Sequence, residues 1–319
     1  MAWTIGIDEA GYGPNLGPLV MTAVSCRVAD AALPVDLWKK LAKAVRRHDD
    51  EPDERILVAD SKQVYSSQRG LEQLELGVLA TLAPQLLEKS CCLAAYVDAF
   101  GPDSHANIRQ ESWYLGETDM PSAAEREQIL EAAARFGQAA ARAVPDIRAR
   151  SIVVCAEEFN RLLDVWGSKG AILTQGLCRL CAFVLALDGD DDIHIHVDKH
   201  GGRNNYCAIL QEAFPEGMVV ARQESAAKSV YEVLGLGRRV QLIFQPRADS
   251  EHFTVALASM ASKYLRELLM VEFNAFWKLR LPDLKPTAGY PMDAARFYRL
   301  IRPVVEELGL AECQVWRRK

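Results

Sequence analysis

Strand-like runs alternate with helix-periodic segments along most of this 319-residue chain, and that alternation confines it to the α/β class. Trp3 to Ile7 alternates and is β-rich, a Gly/Pro loop from Gly11 to Pro18 follows, and Leu19 to Val28 is a second β-like run. A short apolar stretch, Ile56 to Ala59, ends in Asp60-Ser61-Lys62. Cys91 to Asp98, Ser151 to Cys155, Ile193 to Val197, Met218 to Arg222 and Val240 to Phe244 are expected as further strands. Helices are expected at Asp36 to His48, Gln68 to Leu87, Gly170 to Leu187, Thr254 to Trp277 and Ala294 to Leu308. Another is expected from Ser122, where Ser122-x-x-Glu125 has capping-box spacing, to about Ala143. No repeat or linker splits the chain, so residues 1–319 are expected to form a single domain.

Half of the residues are hydrophobic and a quarter charged, which excludes disordered, collagenous and disulfide-stapled classes. The best apolar run, Ala182 to Leu187, falls far short of the ~18 to 20 residues of a membrane span. The opening residues lack the basic start of a secretory signal, so a cytoplasmic protein without membrane contact is expected. Of eight cysteines, Cys178 and Cys181 form a lone C-x-x-C with no second ligand pair, and they are taken as thiols rather than a zinc site. The net charge of −6 is unevenly spread: residues 1–198 hold 19 Lys+Arg against 30 Asp+Glu, and residues 199–319 hold 18 against 13. The basic second part suits a polyanion, although an asymmetry of this size also suits ordinary surface decoration.

Chemistry concentrates where acids follow strands. Asp8 and Glu9 end the first, Asp198 ends Ile193 to Val197, and Asp249 lies just beyond Val240 to Phe244. In α/β sheets such strand ends converge on a crevice. Two carboxylates ~4 Å apart cost ~4 kcal/mol at an effective dielectric near 20, so a cluster of four calls for a cation, and hard oxygen ligands suit Mg²⁺ or Mn²⁺. Two such ions can activate water and stabilise the leaving oxygen of a phosphodiester. The plain alternative is that Asp8 and Asp198 only form turns. The histidines show no metal-ligand spacing; His194 and His196 share one strand face, expected to turn away from Asp198.

The neighbours of these acids carry a resemblance. Asp8-Glu9-Ala10-Gly11-Tyr12-Gly13-Pro14-Asn15-Leu16-Gly17-Pro18 resembles the N-terminal motif of the type 2 ribonucleases H, where an Asp-Glu pair precedes Gly-Arg-Gly or Gly-Lys-Gly. Asp60-Ser61-Lys62, Ala171 to Gln175, Val197-Asp198, Arg247 to Ser250 with Ala256 to Ser259 and Lys263, and Gly289-Tyr290-Pro291 resemble later family segments in the same order. The resemblance implies a ribonuclease H-like three-layer fold, a central mixed β-sheet flanked by helices, with insertions at about 99–150 and 217–245. It implies an endonuclease that hydrolyses RNA in RNA–DNA hybrids, or at ribonucleotides embedded in DNA, leaving a 3′-hydroxyl and a 5′-phosphate. It assigns Asp8, Glu9, Asp198 and Asp249 to catalysis and two metal ions (Mg²⁺ or Mn²⁺). Gly11, Tyr12, Gly13, Ser61, Lys62, Lys199, Arg203 and Tyr290 are the expected substrate contacts. The expected partner is nucleic acid, with no protein partner.

Departures from the pattern leave substrate choice open. Tyr12 stands where the family has Arg or Lys, which removes a cation from the loop and leaves Tyr12 to stack or to pack. Lys62 has two readings, phosphate contact or counter-charge for the acids. A same-fold nuclease with a changed substrate and an inert nucleic-acid-binding relative are the alternatives. A dinucleotide-binding oxidoreductase is disfavoured, because Asp8 and Glu9 precede the glycine loop and would repel a pyrophosphate.

Overall fold

The computed structural model describes residues 1–29, 35–48, 53–66, 68–88, 91–199 and 201–318. Seven strands form one mixed sheet: β1 (Ala2–Ala10), β2 (Leu19–Val28), β3 (Asp146–Val154), β4 (Asp192–Asp198), β5 (Met218–Glu224), β6 (Ser229–Leu234) and β7 (Val240–Gln245). Their order across the sheet is β3-β2-β1-β4-β7-β6-β5. β1 runs antiparallel to β2 and parallel to β4, and β4 runs parallel to β7. The three central strands therefore end at the same edge. Ile7 lies opposite Val197, and Asp198 opposite Gln245, so Asp8, Asp198 and the chain leaving β7 meet there.

Helices cover both faces: α1 (Ser61–Val64), α2 (Glu72–Leu82), α3 (Leu93–Phe100), α4 (Arg126–Ala143), α5 (Ala156–Trp166), α6 (Lys169–Leu185), α7 (Cys207–Ala213), α8 (Ala248–Glu251), α9 (Phe253–Arg280) and α10 (Pro291–Glu307). Alternation sends Val20, Val24 and Cys26 of β2 towards α2, α3, α4 and α9, while Leu19, Met21 and Ala23 join Ile5 and Ile7 against α5, α6 and α7. The result is the three-layer architecture expected from the sequence. A third cluster joins Leu16, Trp113, Phe273, Trp277 and Phe297 where the far half of α9 meets α10. No helix among the described residues is long and apolar enough to cross a membrane. All eight cysteines are free thiols.

Long α9 is the spine beneath the site. A Cβ on Gly6 would fall 2.1 Å from the backbone of Thr254 and Val255, so only glycine lets this helix start directly on β1. That contact holds the first turns of α9 beside Asp8.

Several local expectations are corrected. Residues 91–98 are not a strand: only Cys91–Cys92 is extended, and α3 begins at Leu93. The expected helix over 36–48 stops after Leu37–Lys40, and Val45–Arg46 is a short strand. Ser122 does not cap α4, because its N–H and Oγ both donate to Glu75 Oε1, at 2.8 and 3.0 Å. Glu75 is fully buried and also accepts from the N–H groups of Ala123 and Ala124 and from Tyr264 Oη. Glu272 does the same for residues 115–118, accepting from the N–H groups of Leu115, Gly116 and Thr118. Two buried carboxylates on α2 and α9 thus fasten the 113–124 segment to the body. Strand β6 and helix α5 were not expected. The stretches 99–150 and 217–245 contribute to the sheet itself, through the start of β3 and through β5, β6 and β7.

Candidate active site

Asp8 is buried near the end of β1, where Ser259 of α9 donates a hydrogen bond to its side chain. Burial first, and then the charge of Glu9, hold Asp8 well above the usual carboxylate range. Glu9 is pushed up to about 7, chiefly by burial and then by Asp198, with Lys62 opposing. Asp198 accepts from the N–H of Lys199 at 3.0 Å and more weakly from that of Ala248 at 3.4 Å. Burial raises it and these backbone donors hold it back. Asp249 is raised by burial and by the charges of Asp60 and Asp198. It sits on α8, which starts after Arg247, a non-glycine residue at φ 57°. That left-handed turn redirects the chain leaving β7 so that a short helix, rather than a loop, presents the carboxylate.

The four acids singled out in the sequence are thus within electrostatic reach of one another. Asp60, beside Asp249, is a fifth that the carboxylate reading left out; its Oδ1 accepts from the N–H of Lys62 and starts α1. Lys62 acts on Glu9, Asp198 and Asp249 together, which makes it a counter-charge for the cluster. The all-oxygen, desolvated donor set has the chemistry of a magnesium or manganese site. Among the described residues, however, no three His, Cys, Asp or Glu side chains already close around one point.

The expected substrate contacts divide. Gly11 has φ 91°, and a Cβ there would meet Pro18 O at 2.5 Å and Arg266 Nε at 2.6 Å. Gly13 is open, and a Cβ on it would come no nearer than 3.9 Å to Tyr290 Cε1. Tyr12 is 38% exposed and Tyr290 53%, so two aromatic faces flank the open stretch of the loop. Lys169 Nζ lies 5.9 Å from the Tyr12 ring centroid, and Arg203, bonded to Thr174 Oγ1 at 3.2 Å, acts on Tyr12 from the same side. Two basic residues, from α6 and the loop after β4, therefore stand by Tyr12. Ser61 is buried, with its Oγ 3.1 Å from that of Ser259, the residue that bonds Asp8. Lys199 Nζ is tied to Asn204 Oδ1 at 2.8 Å and Ser225 O at 2.6 Å. His200, between Lys199 and the glycines, lies outside the described residues. His196 shares the face of Asp198 by strand alternation and stacks on His252 at 3.7 Å, so it does not turn away from the site as expected.

No family model matches the chain. Ribonuclease HII of Methanococcus maripaludis is 27% identical over 106 residues, 30% of this chain and 44% of the relative. Over that stretch the chain is similar to a type 2 ribonuclease H. The match spans less than half of that relative's length. Two solved structures align with nearly the full length of this chain. The ribonuclease H2 of Pyrococcus horikoshii is 15% identical with a TM-score of 0.46, covering 98% of this chain and 92% of that one. The ribonuclease HII of Archaeoglobus fulgidus, solved as a complex with PCNA, is 18% identical with a TM-score of 0.44, covering 99% and 94%. The PCNA pairing is a property of the archaeal protein.

Proposed function

We propose that this chain is a divalent-metal-dependent endonuclease that hydrolyses phosphodiesters of RNA in RNA–DNA hybrids or at ribonucleotides embedded in DNA. The observation that carries the reading is the meeting of Asp8, Glu9, Asp198 and Asp249, distant in sequence, at one sheet edge with a shared rise in proton affinity. Structural acids are normally paired with cations or dispersed; a group of acids raised by burial and by one another is a mark of functional sites. Divalent ions held there would supply an activated water and stabilisation of the leaving oxygen. Lys62 would limit the repulsion among the acids, and the Ser61–Ser259 pair would fix Asp8. The open Gly13 backbone between Tyr12 and Tyr290 offers a ribose close approach and two stacking faces. The sheet and the cores on its two faces support one domain.

The test is cleavage of a labelled RNA–DNA hybrid and of a duplex with one embedded ribonucleotide, beside an all-DNA control, in Mg²⁺ and in Mn²⁺. The reading expects cleavage of the ribo-containing strands alone, lost in Asp198→Asn. Cleavage of the DNA control as well supports a changed substrate, the alternative that Tyr12 and its neighbours Lys169 and Arg203 favour. Binding without cleavage in either metal supports an inert relative.

A further inference from the structure

Behind the glycine loop lies an arginine that the proposed chemistry does not use. Arg317 is fully buried, and its Nη2 donates to Gly11 O at 2.7 Å and also to Pro14 O. Its backbone is locked to the same loop: Arg317 N donates to Asn15 O at 2.8 Å, and Asn15 Nδ2 donates to Arg317 O at 2.7 Å. Asn160 of α5 fixes the approach of this segment by donating to Cys313 O and Trp316 O and accepting from the N–H of Arg318. The guanidinium itself lies over the Phe159 ring at 4.7 Å.

The loop is held from a second side. Buried Arg266 donates to Ala288 O at 2.9 Å and to Leu16 O at 3.4 Å, and Asn15 N donates to Gly289 O at 2.8 Å. The glycine loop and the Gly289-Tyr290-Pro291 turn are therefore one hydrogen-bonded unit, with two buried guanidinium groups beneath it.

For stability alone this is a poor arrangement. Burial and the neighbouring Arg266 charge push Arg317 down to about 9. No carboxylate among the described residues pairs with Arg317, and its Nε and Nη1 have no hydrogen-bond partner there. A buried cation with unpaired donors is costly, and an apolar side chain of similar volume is commonly as stable or more so. What the arginine does achieve is geometric: one group ties two carbonyls three residues apart, Gly11 and Pro14. The residues between them, Tyr12 and Gly13, are both exposed.

We infer that Arg317 is a positioning residue for ribose recognition, holding the Gly11–Pro14 backbone at the height from which Tyr12, Gly13 and Tyr290 meet the substrate strand. This rests on the proposed function and on the substrate contacts expected of the loop; what is new is the buried guanidinium that holds their backbone in place.

The test measures binding by fluorescence anisotropy to a duplex with one ribonucleotide and to its all-DNA counterpart, for wild type, Arg317→Lys and Asn15→Ala. Lysine keeps the charge but offers one ammonium in place of the fork. Arg317→Lys is expected to weaken ribo-duplex binding about tenfold, the scale of one charge-assisted hydrogen bond, while DNA binding moves less than about twofold. Asn15→Ala, which keeps the guanidinium and removes one strap, is expected to lose about threefold. A purely structural role would lower the melting temperature and the fraction of folded enzyme, leaving the ribo-to-DNA ratio and KM unchanged; that result in both variants overturns the inference. A wild type that discriminates while both variants match it refutes this inference alone, whereas a wild type that neither discriminates nor cleaves refutes the proposed function.

Discussion

Glu9 gives the account its sharpest thermodynamic consequence. Its carboxyl is raised from 4.5 to about 7, first by burial and then by Asp198. A raised acid means that the folded protein binds the proton more tightly than the unfolded chain does. Below pH ~4.5 both states are protonated and Glu9 costs nothing; as pH climbs through ~7 the folded state must carry the charge, and the full penalty appears. At 1.36 kcal/mol per unit, the shift amounts to about 3 kcal/mol, an upper figure because Glu9 is only partly buried by its neighbours. With about 0.7 kcal/mol/K of unfolding entropy for a chain of this length, that is about 5 °C. Glu9→Gln should therefore melt up to about 5 °C higher than wild type at pH 8, with the gain fading to nothing near pH 4.5. Thermal melts of both proteins from pH 4.5 to 8.5 in a chelator provide the assay, and cleavage should be lost in the stabilised variant. A gain independent of pH, or a variant less stable than wild type at pH 8, would refute the reasoning.

The other predictions concern the supports of the site. Glu75→Ala strands the N–H groups of Ser122, Ala123 and Ala124 and should destabilise the fold by about 3 kcal/mol or more in a denaturant titration, at about 1–3 kcal/mol for each buried unsatisfied donor. Gly6→Ala puts a methyl 2.1 Å from the α9 backbone, so soluble folded protein should fall sharply, with a loss of about 3 kcal/mol or more in whatever folds. Lys62→Ala removes the cation that lowers Glu9, Asp198 and Asp249, so the acid limb of the pH–rate profile should move to higher pH; an unmoved limb would show that Lys62 does not set their ionisation.

What was legible in the sequence was local. Trp3 to Ile7 alternates, and the strand it marks ends in Asp8-Glu9 before a loop whose glycine at 11 and prolines can form nothing regular. Ile193 to Val197 and Val240 to Phe244 are equally clear, so all three central strands and the acids that end or follow them were readable, and parallel pairing brings them together. The misses were decided by contacts from afar. Ser122-x-x-Glu125 has the spacing of a capping box, but Glu75, 47 residues upstream, takes both Ser122 donors. Leu93–Phe100 has a mixed apolar run with no capping side chain, so nothing local separated helix from strand. Arg317 lies in a Trp-Arg-Arg-Lys stretch that by composition belongs in solvent; only its partners in the glycine loop, some 300 residues away, make it a buried strap. Asp60 preceded a recognised Lys, but its closeness to Asp249 is a property of the packed fold.

The central claim, that these separated acids jointly hold divalent ions, is tested most directly by calorimetric titration of Mn²⁺ into the protein without nucleic acid. Wild type should bind, Asp198→Asn and Asp249→Asn should each weaken binding at least about tenfold, since losing even an outer partner of a metal ligand costs about that much, and Glu307→Gln on the outer face of α10 should match wild type. Equal Mn²⁺ affinity in all four proteins would contradict the account.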